Sequence, residues 1–359
     1  MENNKKIEKN GVKLSFLAID QAVISNIQDA QEKVQQGKDI VMWGSNNQYP
    51  EYIWNLYTDT TTLRTIVNGI ADYVVGDGVH SNIAMLGDEE AEDMVRNLAM
   101  DYALYGGYAI DCERSKAGKV VKTMPLDLKC IRSSEHNDFL YYSKKWGKGY
   151  RNDYVPYSVF NPQGLERSSI YLYKNSSKTV YPLSFLATDA ALAAESERMI
   201  AEFHLNQIDN GFSSDFIINM NNGTPTSEEQ EEIEDNFNEK FCGHQNAGRP
   251  VIAFNADKDH AVTIENIKSE DYGQKYQSLK EHCTKKLFQA YRALPILFGT
   301  PSEQSGFAVQ NYEDAFKLFN RTMIEPIQKK IANSFNLIYG VEQSLVFTPF
   351  SLNNNAKVD

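Results

Sequence analysis

Apolar positions recur every three to four residues in two long stretches of the second half of the chain. In the first, Tyr272, Tyr276, Leu279, Cys283, Leu287 and Tyr291 step by four, three, four, four and four, which puts them on one face of a helix. Ser269 is a good N-cap, Glu270 and Asp271 in the first turn suit the positive end of the helix dipole, and Pro295 is expected to stop the helix because it has no N–H to donate. Gly299, Thr300, Pro301, Ser302, Gln304, Ser305 and Gly306 read as loop. A second helix is expected from near Phe307. Pro326 should interrupt and bend it before Ile327, Ile331, Phe335 and Ile338 resume the stripe, and Gly340 ends it.

Upstream, Leu63, Ile66, Val67, Ile70, Tyr73 and Val74 give a buried helical face between a threonine cap region and Gly76. Met94, Val95, Leu98 and Tyr102 give another behind Asp88-Glu89-Glu90. After Gly106-Gly107 the period shortens to that of strands, expected at Tyr108–Cys112, Val120–Met124, Leu128–Ile131 and Phe139–Tyr142, with a further pair at Ser169–Tyr173 and Thr179–Tyr181. Asp29–Gln35 reads as a short exposed helix, and Trp43–Pro50 as an ordered loop pinned by Trp43 and Tyr49. An alanine-rich helix is expected over Ser184–Asn210, with Leu192, Met199 and Phe203 on its face as the partner of Leu279 and Leu287. Between the two long helices lies a β-α-β-β module: Asp215–Met220, a helix from the capping box Thr226/Glu229 to Cys242, Pro250–Phe254 and Ala261–Ile267. A last strand is expected at Ser344–Phe347. The fold class is therefore α+β.

Charge narrows the function. The 359 residues carry a formal net charge of −12, the wrong sign for gripping nucleic acid by phosphate neutralisation and an acceptable one for enclosing it. No run approaches the roughly 18 apolar residues of a membrane span, and the start lacks the apolar core of a signal peptide, so a soluble, intracellular protein without membrane contact is expected. Cys112, Cys130, Cys242 and Cys283 are too scattered to propose a disulfide framework. Cys242, His244, His282 and Cys283 lack the paired spacing of structural zinc, and buried thiols are the better reading. There is no phosphate-binding loop, nucleophile elbow or His-Glu-x-x-His pattern, and the acidic run Glu228–Glu234 reads as a solvated helix start rather than a metal site. No catalytic residue, cofactor or metal is expected. Lys144-Lys145-Trp146-Gly147-Lys148-Gly149-Tyr150-Arg151 mixes cations and aromatics; Lys144, Lys145, Lys148 and Arg151 are candidates for DNA or neighbour contact against the plainer reading of a solvated hairpin tip.

The order Leu294-Pro295-Ile296-Leu297-Phe298-Gly299, polar loop, Gly306-Phe307-Ala308, Glu313, Phe316, Phe319 and Ile324-Glu325-Pro326-Ile327 resembles the portal proteins, or head–tail connectors, of tailed bacteriophages. Pro125-Leu126-Asp127 between two strands extends the likeness toward the N-terminus. The resemblance implies an N-terminal arm and wing over 1–183, stem helices over 184–210 and 269–293, an inserted clip over 211–268, a tunnel loop over 294–306, and a kinked wing helix with a C-terminal strand and tail over 307–359, the crown being absent or vestigial. It implies a ring, usually of twelve subunits, at one capsid vertex of the virion, assembled in the host cytoplasm. Double-stranded DNA would pass through it, with Thr300, Ser302, Gln304 and Ser305 facing that DNA. A large terminase, a head–tail adaptor and a major capsid or scaffold protein would be its partners. The alternatives are a metal-dependent nucleic-acid enzyme and an adaptor or scaffold without a channel.

Overall fold

Thr60, in an extended conformation, separates two helices that the sequence runs almost end to end, α1 (Tyr49–Asp59) and α2 (Thr61–Val75). The fully buried side of α2 is Leu63, Ile66, Val67, Ile70 and Val74, as the periodicity requires. After strand β1 (Gly78–Ser81) comes α3 (Asp88–Tyr105), whose first turn carries three carboxylates and whose end is set by Gly106 at φ +80°. A Cβ there would lie 2.1 Å from the Leu183 carbonyl oxygen, so the position needs glycine for space as well as for backbone angle.

The computed structural model describes residues 39–147, 154–209, 272–299 and 312–350, with Thr226 and short backbone stretches at 8–9, 12–13, 33–34, 217–220 and 251–254. It falls into two units, residues 1–191 with 288–359, and residues 192–287. The fold is a mixed α+β one.

In the first unit a six-stranded sheet is built from β2 (Gly107–Arg114), β3 (Val120–Leu126), β4 (Ile131–Ser133), β5 (Phe139–Tyr142), β6 (Val155–Val159) and β7 (Ser168–Lys174), in the order β3-β2-β7-β6-β5-β4. Only the β6–β7 pair is parallel. This is larger than the expected small meander and differs from it in three places. Leu128–Cys130 is a 3-10 turn, not a strand, because the Asp127 side chain accepts the Lys129 N–H at 3.1 Å and Asp101 accepts the Leu128 N–H. Thr179–Tyr181 forms no strand: the Lys174 ammonium takes the Thr179 and Val180 carbonyls, while the Tyr181 ring stacks on Trp43 at 4.4 Å. Ser168–Lys174 instead pairs along its whole length with β2. Lys33–Val34, expected in a helix, is a strand pairing with Val41–Met42.

Across the helices lies the last long element. It comprises α6 (Tyr312–Phe319), a π-helical stretch (Asn320–Ile324) and α7 (Glu325–Tyr339), followed by β10 (Leu345–Thr348), which pairs with β1. The interruption expected at Pro326 is this π turn, in which the Glu325 N–H bonds to the Asn320 carbonyl five residues back. Ser334 holds α7 to the sheet: its hydroxyl meets those of Tyr108 at 2.8 Å and Tyr171 at 3.0 Å.

Asp101 is half-buried on α3, and burial, then the neighbouring Asp127, holds its carboxyl well above the usual range. The folded chain therefore binds this proton more tightly than the unfolded chain. Stability falls as pH rises from the ordinary carboxylate range through the folded pKa. Asp101→Asn keeps an oxygen for the Leu128 N–H and removes the titration, so the variant should lose less stability between acid and neutral pH. Thermal unfolding across pH checks this; an unchanged or steeper pH slope would refute it.

The second unit holds the larger parts of two long helices, α4 (Ala190–Asp209) and α5 (Tyr272–Ala290), and two strands, β8 (Ile217–Met220) and β9 (Val251–Phe254). The strands pair in parallel, so the chain between them must cross over. The expected helix after Thr226 and the strand Ala261–Ile267 lie outside the described residues. Helix α4 starts at Ala190, six residues later than expected, because the Ser184 hydroxyl donates to the Leu104 carbonyl and accepts from the Leu186 N–H, fixing a turn there.

Candidate functional site

The residues flanking the polar loop are held by one aromatic cluster of the first unit. Helix α5 ends before Pro295, not at it: Arg292 takes φ +50° and the Ala293 N–H bonds back to the Phe288 carbonyl, closing the helix with a left-handed residue. Pro295 then opens a 3-10 turn, Pro295–Phe298, which Gly299 ends at φ +70°. Tyr73 on α2 donates its hydroxyl to the Leu297 carbonyl at 2.7 Å, and its ring lies 5.9 Å from Phe298, 5.9 Å from Phe316 and 5.7 Å from Phe319. Burial, then the Tyr312 hydroxyl, pushes the Tyr73 phenol far above its ordinary value, so it stays a donor at any physiological pH. Both ends of the loop are thus fastened to α2. The loop residues Thr300, Ser302, Gln304 and Ser305 lie outside the described residues, as do 307–311, where the following helix was expected to start.

The basic run is only partly described. Lys144 and Lys145 are exposed beside the buried Trp146, and Lys148 and Arg151 fall outside the described residues. The structure adds two cations that sequence distance hid, Lys129 and Arg132, in one cleft with Lys144, Lys145 and Glu51. Arg132 is 1% exposed. Its guanidinium donates to the Asn47 side chain and to the carbonyls of Asn47, Lys129 and Ile131, and lies 5.0 Å over the Trp146 ring. Nothing in Lys129-Cys130-Ile131-Arg132 announces a buried arginine.

In the second unit, Phe203 of α4 lies 4.7 Å from Tyr276 of α5, and Leu287 is fully buried. Leu192, Met199 and Leu279 are exposed by 43%, 46% and 43%. The buried side of α4 runs through Ala194, Glu197 and Ile200, with Arg198 bridging Glu195 and Glu202 beside it. Cys283 is buried, while Cys242 and His244 lie outside the described residues. Among the described residues no group of three or more histidine, cysteine or carboxylate side chains could hold a metal, and no helix is long and apolar enough to cross a membrane.

The phage portal protein family matches the sequence over residues 87–357, well over half of the chain. The chain belongs to that family. Portal proteins are structural rather than enzymatic. No curated protein matches the chain in sequence. Among solved structures, the fold is similar to a chain of the virion of a native gene transfer agent particle, at 14% identity and a TM-score of 0.54, covering 94% of this chain and 91% of that one. It is similar to a chain of the neck of that particle computed with C12 symmetry, at 14% identity and a TM-score of 0.53, covering 93% and 90%. An HK97 family phage portal protein from Corynebacterium diphtheriae matches at 11% identity and a TM-score of 0.50, covering 82% and 94%. Helix α3, the sheet, the two long helices and the π-interrupted helix all lie within the matched span.

Proposed function

We propose that the chain is a portal subunit that assembles into a ring, of about twelve copies, at one vertex of a phage-type capsid. The observation that carries this reading is the family match over residues 87–357, and the likeness to a neck structure with twelvefold symmetry supports the ring. In this reading α4 and α5 are the stem, the parallel pair β8–β9 belongs to a clip over 211–268, and 294–306 is the tunnel loop. DNA enters during packaging and leaves on ejection through the ring. Thr300, Ser302, Gln304 and Ser305 face it with hydroxyl and amide groups that touch phosphate without holding it as a cation would. The formal charge of −12 fits a wall along which DNA slides. The clip end is the docking platform for a large terminase and a head–tail adaptor, and the wing side meets the capsid or scaffold protein. The subunit resides in the virion after assembly in the host cytoplasm.

Negative-stain electron microscopy with mass photometry tests the ring. Rings with a central hole wide enough for duplex DNA are expected, alone or after addition of the cognate scaffold or capsid protein. Monomers or dimers under both conditions would overturn the conduit and favour a channel-free adaptor.

A further inference from the structure

The cleft beside Trp146 is distant in sequence from both the stem helices and the tunnel loop, and its chemistry is of another kind. It has a volume of about 240 Å³, room for an oxyanion with several waters at about 30 Å³ per water. Its walls carry four cations, Lys129, Arg132, Lys144 and Lys145, against Glu51 and the Asp127 carboxylate paired with Lys129, a formal charge of +2 (four minus two) in a chain whose total is −12.

The decisive residue is Arg132. Its hydrogen bonds among the described residues run to neutral acceptors, a side-chain amide and three carbonyls. These satisfy the geometry of the guanidinium but not its charge; among the described residues no carboxylate is ion-paired with it, and Glu51 of the same cleft acts on it only weakly. Burial draws its pKa down only to about 10, so it is a cation at neutral pH. The Trp146 ring lies 5.0 Å from the guanidinium carbon, an apolar wall beside which the charge is weakly screened, and the lysines line the same cleft. Lys129 is already steadied by Asp127 at 3.4 Å and by the face of Trp54 at 4.3 Å, which fixes its ammonium at the cleft wall. Buried charge without a counter-ion is costly, and a bound anion relieves that cost.

We propose that this cleft is a phosphate site of the first unit. A phosphate fits better than a carboxylate because the lining keeps a surplus of positive charge beyond Glu51 and a tetrahedral phosphate presents oxygens in more directions to the spread of cations than a planar carboxylate does. Arginine and lysine together suit its several oxygens. The phosphate has two sources of the same chemistry, free phosphate or a phosphomonoester and the phosphodiester backbone of a nucleic acid.

Calorimetric titration of the full chain at low ionic strength tests the proposal. The probes are inorganic phosphate, a dinucleotide carrying one phosphodiester, and acetate as the carboxylate control. Saturable binding of phosphate with a Kd near or below about 1 mM is expected, weakened at least tenfold in Lys129→Ala/Lys144→Ala, in which Arg132 and its hydrogen bonds are untouched. The single variant Lys144→Ala, at an exposed position, should weaken binding without moving the thermal unfolding temperature. Tight binding of the dinucleotide identifies a nucleic-acid backbone as the source, and binding of inorganic phosphate alone identifies free phosphate; both support the site. No saturable binding of either phosphate probe, equal affinity in wild type and double variant, or acetate binding as tightly as phosphate would overturn it.

Discussion

Arg132→Met is expected to lower the thermal unfolding temperature of the first unit by about 6–20 °C. Methionine keeps much of the aliphatic stem and removes the guanidinium, whose carbon lies 5.0 Å from the Trp146 ring and 5.8 Å from the Trp43 ring, so the change isolates the polar head. That head is the donor to the Asn47, Lys129 and Ile131 carbonyls and to the Asn47 amide oxygen. Leaving such buried acceptors unmet costs about 1–3 kcal/mol each. Relief of the buried charge offsets part of this, so a net loss of about 3–5 kcal/mol is expected, at roughly 2–4 °C per kcal/mol for a unit of this size. Arg132→Lys should recover little, because one ammonium cannot span acceptors on two segments as the planar fork does. A thermal shift under about 3 °C for Arg132→Met, measured by circular dichroism, would show that the loop at Asn47 is held by other contacts.

The same residue marks the limit of what the sequence shows. Helix α2 was legible because Leu63, Ile66, Val67, Ile70 and Val74 repeat at helical spacing and all reach the core. The π-interrupted helix was legible for the same reason, with Pro326 as its break. Strand β6 was not, since Val155-Pro156-Tyr157 carries a proline in the middle of a sheet. The structure allows it because β6 pairs with β7 only at Ser158 and Val159, past the missing N–H, while Pro156 faces Tyr141 on its other side. Leu128–Ile131 misled because apolar content resembles a strand, whereas the side-chain oxygens of Asp101 and Asp127 decide the local backbone. The cleft was half legible: Lys144 and Lys145 stand out as a run, but Lys129 and Arg132 join them only through the sheet, where β4 and β5 are neighbours. On the long helices the large apolar residues drew attention, while the alanine and glutamate side of α4 is the one buried in the single chain.

At Gly69 two effects of opposite sign compete, and their sizes decide the outcome. Replacing an interior helical glycine with alanine would by propensity alone stabilise α2 by about 1 kcal/mol. A Cβ at this position, however, would lie 2.6 Å from both Cδ1 and Cε1 of Phe298, a partly buried ring that would have to shift. Tyr73 at 5.9 Å, Phe288 at 5.7 Å and Phe319 at 5.7 Å surround it. Overpacking of this kind costs about 1–3 kcal/mol, so Gly69→Ala is expected to destabilise the first unit on balance, and Gly69→Val more so because its branched side chain adds volume without the propensity gain. Phe298→Leu alone loses ring contacts. Combined with Gly69→Ala it opens the space that the new methyl needs, so the double variant should be more stable than the sum of the single changes by about 1 kcal/mol or more. Chemical denaturation of the four proteins measures this coupling, and strict additivity would show that Phe298 does not sit on Gly69 in solution. Because Phe298 is the last residue of the turn before Gly299 and the loop that follows, the Gly69 contact also sets where that loop begins. In the portal reading, Gly69→Ala should therefore impair DNA retention or packaging in assembled particles more than an equally destabilising substitution on the far side of α2, at Val67, about 200° away around the helix.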